Sequence, residues 1–439
     1  MILRDPIHGL VAFEGERERV LKPLFATREM QRLRRVRQLG LASLVFPGAE
    51  HSRFSHAIGT AHVMGRLLDR IATVEHAIPV DQRLDPEAQR DALAAAFLHD
   101  LGHGPFSHLF EEVFEDAPRH EAWTVDLILD PTSEVHRALQ KLGEGTVERV
   151  ALLVRGQHRL AYLGHAVSGA LDVDRCDYLL RDSHMTGVRY GIFDLDWLLQ
   201  ALSFGEIEER DGSRRHVLSI EGRKGLPPIE GFFLARNFMY QQVYHHKAVR
   251  AAEVLVRGIF ARALELQRDG TELGASTPRA LAAVARGERP SLEAYLELDD
   301  ASLTACIASF QHARDPVLSD LCRRLLNRVL PKTIPLSDAP EAAASWQLAH
   351  QRAAEIAQKH GYRPDLYVWL DVPSDVPYAE SEAPRSSALW VARRHRPMTL
   401  LGDVSFLLRE LRNKRAVRPR LVFPAELRDE ISAAIEPLH

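Results

Sequence analysis

Cysteine is scarce in this chain of 439 residues: Cys176, Cys306 and Cys322 are the whole set, scattered and without a CxxC pair. That spacing speaks against a disulfide framework or a thiolate-held zinc, and fits reduced thiols in a cytoplasmic protein. Long apolar runs are also missing. No stretch reaches 18 residues, and the start, MILRDPIHGLVAF, lacks the basic-then-apolar layout of a signal peptide, so neither secretion nor a membrane span is expected. The formal net charge is only −4. Local basic clusters must therefore do any phosphate binding, and nucleic acid is not the expected main ligand. There is no internal repeat, no low-complexity tract and no G-x-S-x-G elbow. Cys176 stands between Arg175 and Asp177 with no histidine close by in sequence, so a covalent Ser or Cys nucleophile has no support.

What is present is ordinary in bulk and unusual in detail. Hydrophobic residues make up 46% and charged residues 26%, as in globular proteins generally. The length exceeds one typical core. Apolar spacing is mostly helical, rich in Ala, Leu and Arg, over Arg28–Gln38, His56–Ile71, Gln89–His99, His120–Ile128, Val147–Val154, Val173–Ser183, a broken Ile229–Glu265 and Asp315–Leu330. Composition shifts near Pro331. A helix over Glu341–His360 is followed by short β-branched and aromatic runs at Leu366–Leu370, Ala388–Ala392 and Arg420–Phe423. The expected fold is mainly α, with a helical core over 1–330 and a small α+β appendage over 331–439.

Histidines crowd one early region: His51, His56, His99, His103, His108 and His120, with Arg53 and Asp100 among them. His99 and Asp100 close the apolar run Ala92–Leu98, where two adjacent side chains at a helix tip can both reach one ion. Imidazole and carboxylate donors without thiolate suit Mn, Fe, Zn or Mg. Further on, Asp174, Tyr178 and Asp182 recur at i, i+4 and i+8, one face of a helix. Two readings stand for that face: a pocket wall, or a solvated acidic stripe paired with Arg175 and Arg181. A second stripe, Arg236, Tyr240, Tyr244 and Lys247, interleaves cations with aromatic rings. It suits a ligand that is both anionic and ring-bearing, of which a nucleotide is the simplest.

In order along the chain, MQRLRRVRQLG, FPGAEHSRFSHAIGT, LHDLGHGPFSH, LDVDRCDYLLRDSHMTG and ARNFMYQQVYHHK resemble the deoxynucleoside triphosphate triphosphohydrolases of the HD-domain class, which include bacterial dNTPases and the animal enzyme joining a sterile-alpha-motif to an HD domain. The resemblance implies hydrolysis of a dNTP to deoxynucleoside and triphosphate at one divalent metal ion. It implies His56, His99, Asp100 and Asp174 as metal ligands. Arg53 would bind phosphate, and His103, His108 and His120 would surround the scissile phosphate, His108 protonating the 5′-oxygen. Gln38 and Asp182 would hold the 3′-hydroxyl, and Leu39 and Tyr244 would crowd out a 2′-hydroxyl. Arg175, Tyr178, Arg236 and Lys247 would contact triphosphate or sugar, with Tyr240 and His245 near the base.

The resemblance further implies a homotetramer and a nucleotide activator held by Gln31, Arg34, Arg328 and Lys332. Where the guanine-selective pattern has an Asp, this chain has Ala26, which cannot accept the guanine N–H bonds; activation is expected to be absent or less guanine-specific. The alternatives are an HD enzyme acting on another phosphoester, such as a nucleoside monophosphate or cyclic dinucleotide, and a non-catalytic nucleotide sensor or single-stranded nucleic-acid binder. Leu39, Tyr244 and Asp182 favour a deoxyribose over the first. The retained ligands and additional histidines favour an enzyme over the second.

Overall fold

The computed structural model describes residues 1–107, 111, 118–209, 212–222, 224–274, 277–380 and 387–436. The fold is mainly helical with small sheets, as the apolar periodicity predicts. Helix α1 (Arg53–Val74) starts where the Ser52 hydroxyl accepts the Ser55 amide. Helix α2 (Pro86–Leu98) is capped by Asp85 with proline in its first turn. Its last turns, Ala92–Leu98, are buried on every side, and small Ala side chains let neighbouring helices approach closely. Helix α3 (His120–Leu129) packs on α4 (Thr146–Val154), which lies against α2, and α5 (Val173–Thr186) lies against α1. The α5 N-cap is Asp172, whose carboxylate accepts the Arg175 amide, and Gly187 closes its other end with φ +76°.

Two segments depart from the periodic reading. The helix expected over Arg28–Gln38 stops at Arg32, runs as a 3-10 turn over Leu33–Arg35, and is extended at Val36. Tertiary hydrogen bonds replace helical ones there. Arg53 N donates to Val36 O at 2.9 Å, Gln38 N to His51 O at 2.9 Å, and Arg37 N to the Asp300 carboxylate at 3.1 Å. The expected break within Ile229–Glu265 is a π-helical turn, Tyr240–Tyr244, between α6 (Leu226–Met239) and α7 (Lys247–Arg268). A π turn advances the helical phase, so the Arg236–Tyr240–Tyr244–Lys247 stripe does not continue on one face past Tyr244.

Strands β1 (Ile2–Asp5) and β2 (Gly9–Ala12) form an N-terminal hairpin, with Asp5 opposite Gly9. A second hairpin, β3 (Leu202–Glu208) and β4 (Arg214–Glu221), was not evident from the residue pattern. Later strands β5 (Lys332–Pro335), β6 (Trp369–Asp371), β7 (Trp390–Arg393), β8 (Arg396–Leu400) and β9 (Arg420–Phe423) build two sheets. One has the order β5-β9-β6, and the other β3-β4-β7-β8, with β4 and β7 parallel. Strands from either side of Pro331 thus share a sheet. The run expected as a strand at Leu366–Leu370 begins as a short helix, Pro364–Tyr367.

Candidate active site

Three helices bring the metal-type donors together: α1 carries His56, the end of α2 presents His99 and Asp100, and α5 carries Asp174. His56 Nε2 lies 2.9 Å from Asp174 Oδ1, and His99 Nε2 lies 3.4 Å from the same oxygen. Donor atoms of His56, His99 and Asp174 all fall within 4.8 Å of one another. Asp100 borders this group, with Oδ1 at 3.3 Å from His99 Nε2 and Oδ2 at 3.8 Å from His56 Nε2. Its carboxylate also pairs with Arg53, and lies 3.1 Å from His103 Nδ1.

The donor set fits a cation. His99 gives its Nδ1 proton to the Ala96 carbonyl at 2.9 Å, which leaves Nε2 as a lone-pair donor. That nitrogen is buried and makes no hydrogen bond among the described residues, as a ligand-to-be should. His56 is oriented likewise, its Nδ1 donating to Asp177 Oδ2 at 2.7 Å. Burial opposes charge on His56, but hydrogen bonds and charge from Asp174 and Asp177 outweigh it and carry the pKa up to about 10. Burial likewise raises Asp100, yet Arg53, His103 and His99 hold its carboxyl well below the usual range. A pocket that stabilises positive charge this strongly suits a divalent ion.

Beside the donors, the rings of His103 and His120 lie against each other, centroids 3.7 Å apart and tilted by 30°. Burial, together with Arg53 and His120, keeps His103 well below the ordinary histidine pKa, hence neutral near pH 7. His120 Nδ1 is 2.5 Å from Glu111 Oε1, a partner the residue pattern did not indicate. Gly102 allows this packing: a Cβ there would meet Thr124 N at 2.2 Å and His120 O at 2.3 Å. Arg53 also reaches Ser107 Oγ at 2.9 Å. His108 lies outside the described residues.

The sugar-binding candidates gather at the far end of α5. Asp182 sits between His51, with Nε2 to Oδ1 at 2.7 Å, and Tyr244, whose hydroxyl donates to Oδ2 at 2.9 Å. The ring of Tyr244 is 6.1 Å from that of Tyr178, which is in turn 6.5 Å from His56. Gln38 Oε1 is buried without a hydrogen-bond partner among the described residues. Leu39 packs with Ala42, Ala49 and Val249. Tyr240 is within 5.3 Å of His245, ring to ring. Burial, aided by Arg250, lowers the His245 pKa to about 4.

The basic candidates divide. Arg175 donates to the carbonyls of Gly169 and Ala170 at 2.7 and 3.1 Å. Arg236, expected on phosphate, is instead turned to the C-terminal part: it bonds Asp375 Oδ1 and Val376 O at 2.8 Å each. A cavity of about 370 Å³ lies between these two arginines, Phe233 and the loop at Val376–Ala379. Lys247, beyond the π turn, is exposed. Of the activator candidates, Gln31 and Arg34 are joined, Arg34 Nε to Gln31 Oε1 at 2.8 Å, with the guanidinium 3.7 Å above the Phe54 ring. Arg328 donates to Leu44 O, and Lys332 is exposed on β5. No hydrogen bond or ion pair joins the two pairs among the described residues.

Comparison with known proteins gives the family. The HD domain matches residues 53–182, and the HD associated region matches residues 214–438. The chain therefore belongs to the HD-domain phosphohydrolase family, a metal-dependent class. More particularly, it is 32% identical to the uncharacterized protein YwfO of Bacillus subtilis, over 97% of this chain and 92% of that protein. It is 30% identical to the deoxynucleoside triphosphate triphosphohydrolase SAMHD1 homolog of Dictyostelium discoideum over 60% of this chain, and spans 49% of that protein, about half its length. A solved phosphohydrolase from Bacteroides thetaiotaomicron has a TM-score of 0.77 at 27% identity, covering 96% of this chain and 99% of that one. No helix among the described residues is long and apolar enough to cross a membrane.

Proposed function

We propose that this protein hydrolyses deoxynucleoside triphosphates to deoxynucleoside and inorganic triphosphate. The observation that carries the reading is Asp182, a buried carboxylate locked by His51 and Tyr244 on the same helix as Asp174. A phosphomonoesterase has no need of such a fixed acceptor beside a tyrosine wall. A sugar 3′-hydroxyl would donate to it, with the unpartnered Gln38 Oε1 as a second acceptor. The Tyr244 ring and Leu39 would leave room for a 2′-methylene but not for a 2′-hydroxyl.

His56, His99, Asp174 and Asp100 would hold one divalent ion, Mn, Mg, Fe or Zn. When bound, the ion supplies Lewis acidity toward a phosphoryl oxygen and lowers the pKa of water. Arg53, fixed by Asp100 and Ser107, would balance charge that builds on the equatorial oxygens. His103, neutral and set against the His120 ring, would exchange a proton, as His108 would toward the 5′-oxygen. Arg175, Tyr178, Tyr240, His245 and Lys247 would line the remaining nucleotide path, and Arg236 would join them only by leaving Asp375.

The test is incubation of pure protein with each dNTP and Mn²⁺ or Mg²⁺, with products resolved by ion exchange. Intact triphosphate is expected; orthophosphate or pyrophosphate would transfer the chain to another phosphoester. With Ala26 exposed next to Phe25, whose carbonyl accepts Gln31 Nε2 at 2.6 Å, dGTP is expected to have little effect on dATP or dTTP hydrolysis. Strict dependence on dGTP would restore a guanine-selective activator site. Assembly as a homotetramer is expected by light scattering.

A further inference from the structure

We propose that His8, in the turn of the N-terminal hairpin, is a positioning residue for the metal centre, acting through Asp177 on the imidazole of His56. The proposal rests on the metal reading above. Asp177 is fully buried, and its two oxygens take four N–H donors. Oδ1 receives His8 Nε2 at 2.7 Å and Arg181 Nη2 at 2.9 Å; Oδ2 receives His56 Nδ1 at 2.7 Å and Arg181 Nε at 2.8 Å. A carboxylate has about four acceptor positions, so this one is saturated. Its orientation, and with it the ring of His56, is set by all four donors together.

The hairpin is built to deliver that contact. Asp5 Oδ1 accepts the amides of Ile7 and His8 at 2.9 and 3.0 Å, shaping the turn, while Asp5 Oδ2 accepts Arg181 Nη1 at 2.8 Å. The turn and the buried arginine are therefore one unit. Gly9 follows with φ +70°, a conformation glycine takes without strain. The His8 side chain is only 4% exposed, although its strands lie largely at the surface. From the other side, a Cβ on Gly59 would fall 1.9 Å from Asp177 Oδ1, so the carboxylate lies directly against the α1 backbone. Partners that orient a ligating histidine through its second nitrogen characteristically tune metal affinity. Neither His8 nor Asp177 is a metal donor in this geometry.

The experiment uses full-length protein freed of metal by chelation. Mn²⁺ is titrated calorimetrically without nucleotide, the bound-Mn²⁺ EPR spectrum is recorded, and melting temperature is measured in parallel. His8→Ala is expected to weaken Mn²⁺ binding by about 10–100-fold and to alter the spectrum. His8→Gln, which can still offer an N–H to Asp177, is expected to recover most of the affinity. Val11→Ala, a buried hairpin change at the residue paired with Leu3 rather than in the His8 turn, is expected to lower the melting temperature without moving the affinity. If His8→Ala does not fold, His8→Phe fills the same space without the donor and carries the same expectation. Wild-type affinity in the donor-free variant, or equal weakening by Val11→Ala, overturns the proposal while leaving the metal reading intact. Wild-type protein that takes up no Mn²⁺ overturns both.

Discussion

The two carboxylates of α5 proposed to act, one on a metal and one on a sugar, are held in opposite ways. Asp174, in the first turn, has a side chain 31% exposed and meets only His56 and His99 among the described residues. Asp182, two turns on, is 1% exposed and gripped directly by His51 and Tyr244. Asp174, unlike Asp100 with its Arg53 partner, has no donor of its own beyond the imidazoles of His56 and His99 among the described residues. Its geometry has to come from neighbours that are themselves fixed from behind, here His56 through Asp177 and His99 through Ala96. A carboxylate that recognises a hydroxyl can be fixed outright, because its remaining lone pairs suffice. One end of the helix is thus braced indirectly and the other directly.

The largest effect should come from breaking the indirectly braced end at its donors. His99→Ala removes a nitrogen that has no other task. It is expected to abolish Mn²⁺ uptake and to cut turnover by about 10³-fold or more, since charge stabilisation of this kind dominates such chemistry. Turnover at a wild-type level with each dNTP would place the chemistry elsewhere. Next comes the brace itself. Gly59→Ala drives a methyl group into Asp177 and Arg181, with Nη2 of the latter only 2.3 Å away. Disrupting a buried ion pair costs about 3–5 kcal/mol, to be read from urea unfolding. A loss under about 1 kcal/mol would show that the carboxylate can shift freely, contrary to a rigid brace.

How much of this was legible in the residues follows from the range of the contacts. The Asp174–Tyr178–Asp182 face and the His99–Asp100 tip depend on local helical repeat, so spacing alone put them together. Asp177 was passed over because it lies off that face, and its partner His8 is 169 positions away. Pairing over such a distance leaves no periodic trace. Arg236 read as a phosphate ligand because its spacing fitted, but a buried acid on the C-terminal part, Asp375, competes for it. The extended backbone at Val36 comes from tertiary hydrogen bonding that overrides helix propensity, and the π turn at Tyr240–Tyr244 shifts a phase that a regular repeat does not show. The helical core was readable; the seams between its parts were not.

The directly braced end predicts smaller, more selective effects, and two substitutions at Tyr244 separate its ring from its hydroxyl. Tyr244→Ala removes the wall and should raise the rNTP-to-dNTP ratio of kcat/KM by about 10–200-fold, the range for one small group in a shaped pocket. Tyr244→Phe keeps the wall and deletes one hydrogen bond to Asp182, worth about 1 kcal/mol, so kcat/KM for dNTPs should fall only about fivefold with ribonucleotides still refused. His51 still holds Asp182 in that variant, which is why the loss stays small. If the Phe variant admits ribonucleotides as freely as the Ala variant, discrimination lies in the orientation of Asp182 rather than in the ring. The direct brace on Asp182 would then matter more than the wall beside it.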